Sequence, residues 1–156
     1  MPVRGPGPYQ LRKLSARLRE AGEEGKGLRR ELYKAVSAAA RPLAAEIKNV
    51  EHLRPYMPDR YADVLAADMA VTTVKRTGRD PGVAIKAKGR AKPKRHLKRL
   101  DGGKLLHPLF ADRERWFAQT RAVNAGFFTD PARQAAPGIR REVLAAMHET
   151  GKKITS

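Results

Sequence analysis

The only Trp and all four Phe of this chain lie within residues 105–131, LLHPLFADRERWFAQTRAVNAGFFTDP. No other stretch can offer Phe or Trp to a core. With 41% hydrophobic residues but only 6% aromatics, the remaining packing has to come from Ala, Leu and Val, in thin layers that gain from packing against something else. The length of 156 residues suits one domain, since domains commonly run about 100–150 residues.

Ahead of the aromatic stretch the chain reads as helices and then strands. Residues 1–9, with Pro2, Gly5, Pro6, Gly7 and Pro8, cannot sustain a regular hydrogen-bonded element and read as an extended arm. From residue 10 onward a single α+β domain is expected. Leu11, Leu14 and Leu18 fall on one helical face, which predicts a short helix over 10–21, and Gly22, Gly25 and Gly27 predict its interruption. Leu28, Leu32, Val36, Ala39, Ala40, Leu43, Ile47 and Val50 keep a 3–4 spacing and predict a long amphipathic helix. Pro42 within it removes one helix bond, so a kink near 38–42 or a break into two helices is expected. After Pro55 and Pro58 a loop is expected to about residue 62. The apolar odd positions Leu65, Ala67, Met69 and Val71 then predict a strand. Val83, Ile85 and Ala87 alternate with Ala84, Lys86 and Lys88, and the two runs predict a hairpin across the turn residues 78–82.

Charge is concentrated next. The chain carries 33 Lys and Arg against 16 Asp and Glu, a net charge of +17, which calls for a polyanionic or acidic partner. Residues 75–104 hold twelve Lys and Arg against Asp80 and Asp101, a local balance of +10. The part at 86–104 reads as a long basic loop, because GRAKPKRH has too little apolar surface to fold alone. Its candidate contacts with DNA or an acidic partner are Lys86, Lys88, Arg90, Lys92, Lys94, Arg95, Lys98 and Arg99.

The aromatic stretch predicts two short strands at 105–110 and 115–120 around a turn at 111–114. A closing helix follows, with Asp130 as N-cap and Pro131 at its first position. Ala132, Ala135, Ala136, Ile139, Val143 and Met147 form its apolar stripe, Pro137 is expected to bend it or delay its start, and Gly151 to stop it. The fold expected is therefore α+β: a long N-terminal helix and a C-terminal helix packed on a small antiparallel sheet of about four strands.

Reactive chemistry is poorly supplied. Cys is absent, which removes disulfides and thiolate ligands. Ser15, Ser37 and Ser156 lie outside any Gly-Xaa-Ser-Xaa-Gly context, and His52, His96, His107 and His148 show no paired metal-binding spacing. The Gly-rich GEEGKG lacks the Lys-Ser/Thr pair of a phosphate loop. No catalytic residue, metal or cofactor is expected. No apolar run approaches the roughly 20 residues of a membrane span, and the N-terminus lacks the apolar core of a secretory signal, so a protein made in a cytoplasm, without a membrane partner, is expected. His107, beside Pro108, reads as a structural residue bonding a backbone carbonyl. The rings of Phe110, Trp116, Phe117, Phe127 and Phe128 suit a core, a stacking platform for bases or anchors of a subunit contact.

The series Leu105-Leu106-His107-Pro108-Leu109-Phe110, Trp116, Gln119 and Gly126-Phe127-Phe128 before Asp130-Pro131 resembles the pattern of tailed-phage neck proteins, the small head-to-tail joining or tail-completion proteins of long-tailed phages. The resemblance covers about residues 28–154. Two positions depart from the family pattern: Ala111 stands where Gly commonly follows Phe, and Ala125 where Pro commonly precedes Gly-Phe-Phe. The resemblance implies a structural virion component at the head-tail joint, assembled in a bacterial cytoplasm. Its implied partners are further copies of itself in a ring, the connector and stopper proteins, the tail terminator or tail-tube proteins, and DNA in the channel. It assigns Phe110, Trp116, Phe117, Phe127 and Phe128 to contacts with subunits or partners. The alternative is a basic nucleic-acid-binding protein that works through residues 75–104, although no zinc finger, RNP motif or helix-turn-helix accompanies them.

Overall fold

A computed structural model describes residues 8–76, 82–90, 96–109, 112–119 and 122–155. Helix α1 (Pro8–Glu20) is followed by α2 (Gly22–Lys48), the short α3 (Val50–Leu53), a 3-10 turn (Arg54–Tyr56) and α4 (Asp59–Asp68). Strands β1 (Met69–Arg76) and β2 (Gly82–Gly89) pair with each other. Helix α5 (Leu97–Asp101), the pair β3 (Leu105–Leu109) and β4 (Asp112–Gln119), and α6 (Thr129–Thr155) complete the order. The protein is thus a mixed α+β fold with N- and C-terminal helices against a small antiparallel two-stranded sheet. The four described strands form two separate two-stranded sheets, β1-β2 and β3-β4, where one sheet of about four is expected.

The described chain packs as two compact units, each built from separated segments. Unit 1 takes the described residues of Met1–Leu43, Thr73–Lys86 and Arg133–Ser156; unit 2 takes those of Ala44–Thr72 and Ala87–Ala132.

Unit 1 follows from helical spacing. Leu11 and Leu18 of α1, Leu32, Val36 and Ala39 of α2, and Val143 of α6 form its buried cluster, with Val83 of β2 and Ile139 and Met147 of α6 packed against it. The break between α1 and α2 is a single residue, Ala21, and Gly22, which opens α2, has φ 64°, where the left-handed backbone excludes most side chains. Gly25 and Gly27 do not interrupt the chain; they lie inside α2. Gly25 is buried because α1 crosses close by: a Cβ there would collide with the carbonyl oxygen of Leu18. Buried hydroxyls are satisfied locally. Ser37 Oγ donates to the Tyr33 carbonyl at 2.8 Å, Thr150 Oγ1 to the Ala146 carbonyl at 2.8 Å, and Ser15 Oγ lies 3.3 Å from the Tyr33 hydroxyl. Lys153 of α6 pairs with Glu31 of α2 at 2.9 Å.

The two helix prolines do not divide their helices. α2 runs through Pro42 and α6 through Pro137. An interior proline costs about 3 kcal/mol, but Leu43 and Ile47 beside Pro42 are 2% and 0% exposed, and burying two such side chains contributes roughly 1.5–3 kcal/mol each. α6 also continues through Gly151, which does not stop it, and begins at Thr129, so Asp130 lies inside its first turn and is not the cap.

Unit 2 departs more from the sequence pattern. Leu65 and Ala67 belong to α4, and the strand begins only at Met69. Ala62, Leu65 and Met69 are all 0% exposed. That 3–4 spacing is a helical stripe, which the odd-position alternation of Leu65, Ala67, Met69 and Val71 imitates. The long basic loop is shorter than expected, since β2 continues through Gly89 and α5 occupies Leu97–Asp101. In the second sheet Leu105 pairs with Gln119, Leu106 with Ala118, His107 with Phe117 and Pro108 with Trp116, before the register shifts at Leu109 and Asp112. Asp112, Arg113 and Glu114, expected in the turn, belong to β4. Pro108 is tolerated because every strand of a two-stranded ribbon is an edge.

Candidate functional site

The end of the aromatic stretch is the most thoroughly fixed part of unit 2. Phe127 is 0% exposed, and the backbone around it is held from three directions. Asp101, at the end of α5, accepts the N–H of Gly126 on its carbonyl at 2.8 Å. Its carboxylate Oδ1 accepts those of Phe128 at 2.8 Å and Thr129 at 3.1 Å. A remote carboxylate thereby satisfies the amides at the start of α6, where the helix dipole also favours negative charge. His52 of α3 lies with Nε2 2.7 Å from the Phe127 carbonyl; a carbonyl only accepts, so that nitrogen carries the proton. Asn124 donates its backbone N–H to the Tyr56 carbonyl at 2.7 Å and its side-chain Nδ2 to the Pro55 carbonyl at 2.9 Å. Gly126 has φ 103°, and a Cβ there would overlap the Asp130 carboxylate.

Tyr56 closes the network. Its ring lies 5.4 Å from that of His52, inclined at 50°, and its hydroxyl donates to the Asp130 carboxylate. Burial, then the charge and hydrogen bond of Asp130, then the charges of Asp101 and Glu46, push the Tyr56 phenol above its ordinary 10.0.

Phe127 is fully buried, whereas Phe128 is half-buried. Phe110 lies outside the described residues. Trp116 and Phe117 are placed as backbone in β4, with their side chains outside the described part. His107, for which a carbonyl contact is expected, is placed as backbone in β3 with its side chain outside the described part. Neither His52 nor Asp101 carries a local sequence signal for its role, since their partners lie 75 and 27 residues away.

The cationic candidates are also divided. Lys86, Lys88 and Arg90 are exposed, at alternate positions through β2 and the residue after it. The Arg90 N–H bonds the Asp68 carbonyl and Oδ1, both at 3.1 Å. Lys92, Lys94 and Arg95 lie outside the described residues. Lys98 and Arg99 are exposed on α5 and, with Lys88 and His96, border a cavity of about 520 Å³. The structure thus brings Lys88, Lys98 and Arg99 together from two separate elements.

Among the described residues no group of three or more His, Asp or Glu could hold a metal ion, and no helix is long and apolar enough to cross a membrane. Compared with known protein families, curated proteins and solved structures, the chain matches none.

Proposed function

We propose that this protein is a structural component of a long-tailed phage virion, forming a ring at the neck that joins the portal-connector stack to the tail. The observation that carries the proposal is the series His107-Pro108-Leu109-Phe110, Trp116, Gln119 and Gly126-Phe127-Phe128. The order of elements around that series supports it: a long helix, a strand pair, a basic segment, a second strand pair and a closing helix. The clamping of residues 124–129 by Asp101, His52 and Asn124 supports it further, since a joining protein must present its contact segment rigidly. Closed rings bury surfaces that a lone copy would expose, which suits a chain whose core is drawn mainly from Ala, Leu and Val. In this role the protein performs no catalysis and holds no cofactor; its partners are its own copies and the connector, stopper and tail proteins.

Deleting the coding sequence from the phage genome tests the proposal. DNA-filled heads and separate complete tails are the expected products by electron microscopy, and Trp116→Ala is expected to reproduce them. Intact particles in normal yield from the deletion would overturn it.

A further inference from the structure

We propose that Lys88, Lys98 and Arg99 form a cleft that binds the phosphodiester backbone of duplex nucleic acid without regard to base sequence. The three cations come from β2 and α5 and border one concavity of about 520 Å³. Among the described residues no carboxylate lines it, and none forms an ion pair with these cations. Two acidic residues of the adjoining elements are engaged with backbone amides: Asp101 Oδ1 holds those of Phe128 and Thr129, and Asp68 Oδ1 holds that of Arg90. The positive charge of the cleft is therefore left for an outside anion.

The lining decides which anion. Protein partners are anchored by aromatic and apolar groups in dry pockets, and their interfaces are depleted in Lys. Among the described residues this cleft offers only Ala87 and Leu97 as apolar lining, and no Phe, Tyr or Trp ring. His96 is the one ring among its described residues, too little for the run of successive aromatic platforms on which single strands are held. What is left is a set of point charges, suited to phosphates whose counterions are released on binding. The inference does not rest on the neck assignment, because phosphate binding and particle assembly are read by different experiments.

The test uses the full-length protein, a short fluorescein-labelled duplex of mixed sequence and anisotropy titrations between about 50 and 200 mM salt. The triple variant Lys88→Ala/Lys98→Ala/Arg99→Ala is expected to flatten the slope of log K against log salt by roughly 2 to 3, at about 0.9 for each phosphate no longer neutralised. A control with the same charge change, Arg17→Ala/Lys34→Ala/Arg41→Ala at exposed positions of α1 and α2, is expected to leave the slope unchanged. Circular dichroism melts confirm that both variants fold. Equal flattening by the two triples would overturn the cleft in favour of net charge alone. An unchanged slope in the first triple, or polyglutamate bound as tightly as duplex, would overturn it as well.

Discussion

Unit 1 and unit 2 hold their segments by different means. In unit 1, Leu11, Leu18, Leu32, Val36 and Val143 meet at helical spacing, and the buried hydroxyls of Ser37 and Thr150 bond the carbonyl one turn earlier in their own helices. In unit 2, apolar burial at Leu53, Leu65, Met69 and Phe127 is joined by side chains that reach far along the chain to backbone groups: Asp101 to Phe128 and Thr129, His52 to Phe127, Asn124 to Pro55. The difference shows what each kind of element needs. Helices satisfy their interior amides themselves and require only a matched apolar stripe. The irregular segment 122–128 has no such ladder, so its backbone groups must be bonded by residues from elsewhere.

The comparison breaks most visibly at Phe127. Phe127→Ala removes the largest fully buried side chain among the described residues and is expected to cost about 3–5 kcal/mol, read as a lowered midpoint in urea. Leu32→Ala, the corresponding deletion in unit 1, should cost about 2–5 kcal/mol. A loss below about 1 kcal/mol at Phe127, small for a core deletion, would show that the polar bonds alone hold residues 122–128.

Asp101 sharpens the contrast at the next level. Asp101→Ala leaves two helix-terminal amides without their acceptor and should cost about 1–3 kcal/mol, whereas Asp101→Asn, which keeps an acceptor oxygen, should recover part of that loss. Equal destabilisation by both would assign the effect to charge instead of to the hydrogen bonds. Amide exchange at Phe128 and Thr129 is expected to accelerate in the Ala variant.

The smallest effect is set by pH. The Tyr56 phenol is raised in the folded state, so the folded protein retains that proton after the unfolded chain has begun to release it. Its contribution is complete below the unfolded value near 10.0 and is lost as pH rises through the higher folded value. Stability should therefore decline above pH 10 by a component that Tyr56→Phe removes, as measured by denaturant midpoints across that range. An identical alkaline decline in the variant would place its cause elsewhere.

The same contrast decides how much could be read from the residues in order. The stripe from Leu28 to Ile47 and the one from Ala135 to Met147 lie in the helices they predict, because a 3–4 spacing leaves few other ways to bury them. The strand through Val83, Ile85 and Ala87 is likewise where its alternation places it. Leu65 to Val71 misleads because its period-2 pattern coincides with the helical stripe of Ala62, Leu65 and Met69. Gly25 and Gly151 look like helix breaks yet lie inside helices; Gly25 is there because α1 needs the space. The cleft is half legible, since the density of Lys and Arg is plain in the sequence. Its closure by residues from β2 and α5, and the engagement of Asp101 and Asp68 with backbone amides, depend on contacts that no local window contains.

A neck role is tested most directly by joining the parts in vitro. Heads filled with DNA and free tails from the deletion phage would be mixed with the purified protein, and infectious particles counted. The predicted result is joined particles whose number rises with added protein and stays at background with Trp116→Ala. Heads and tails that remain apart at every protein concentration would contradict it.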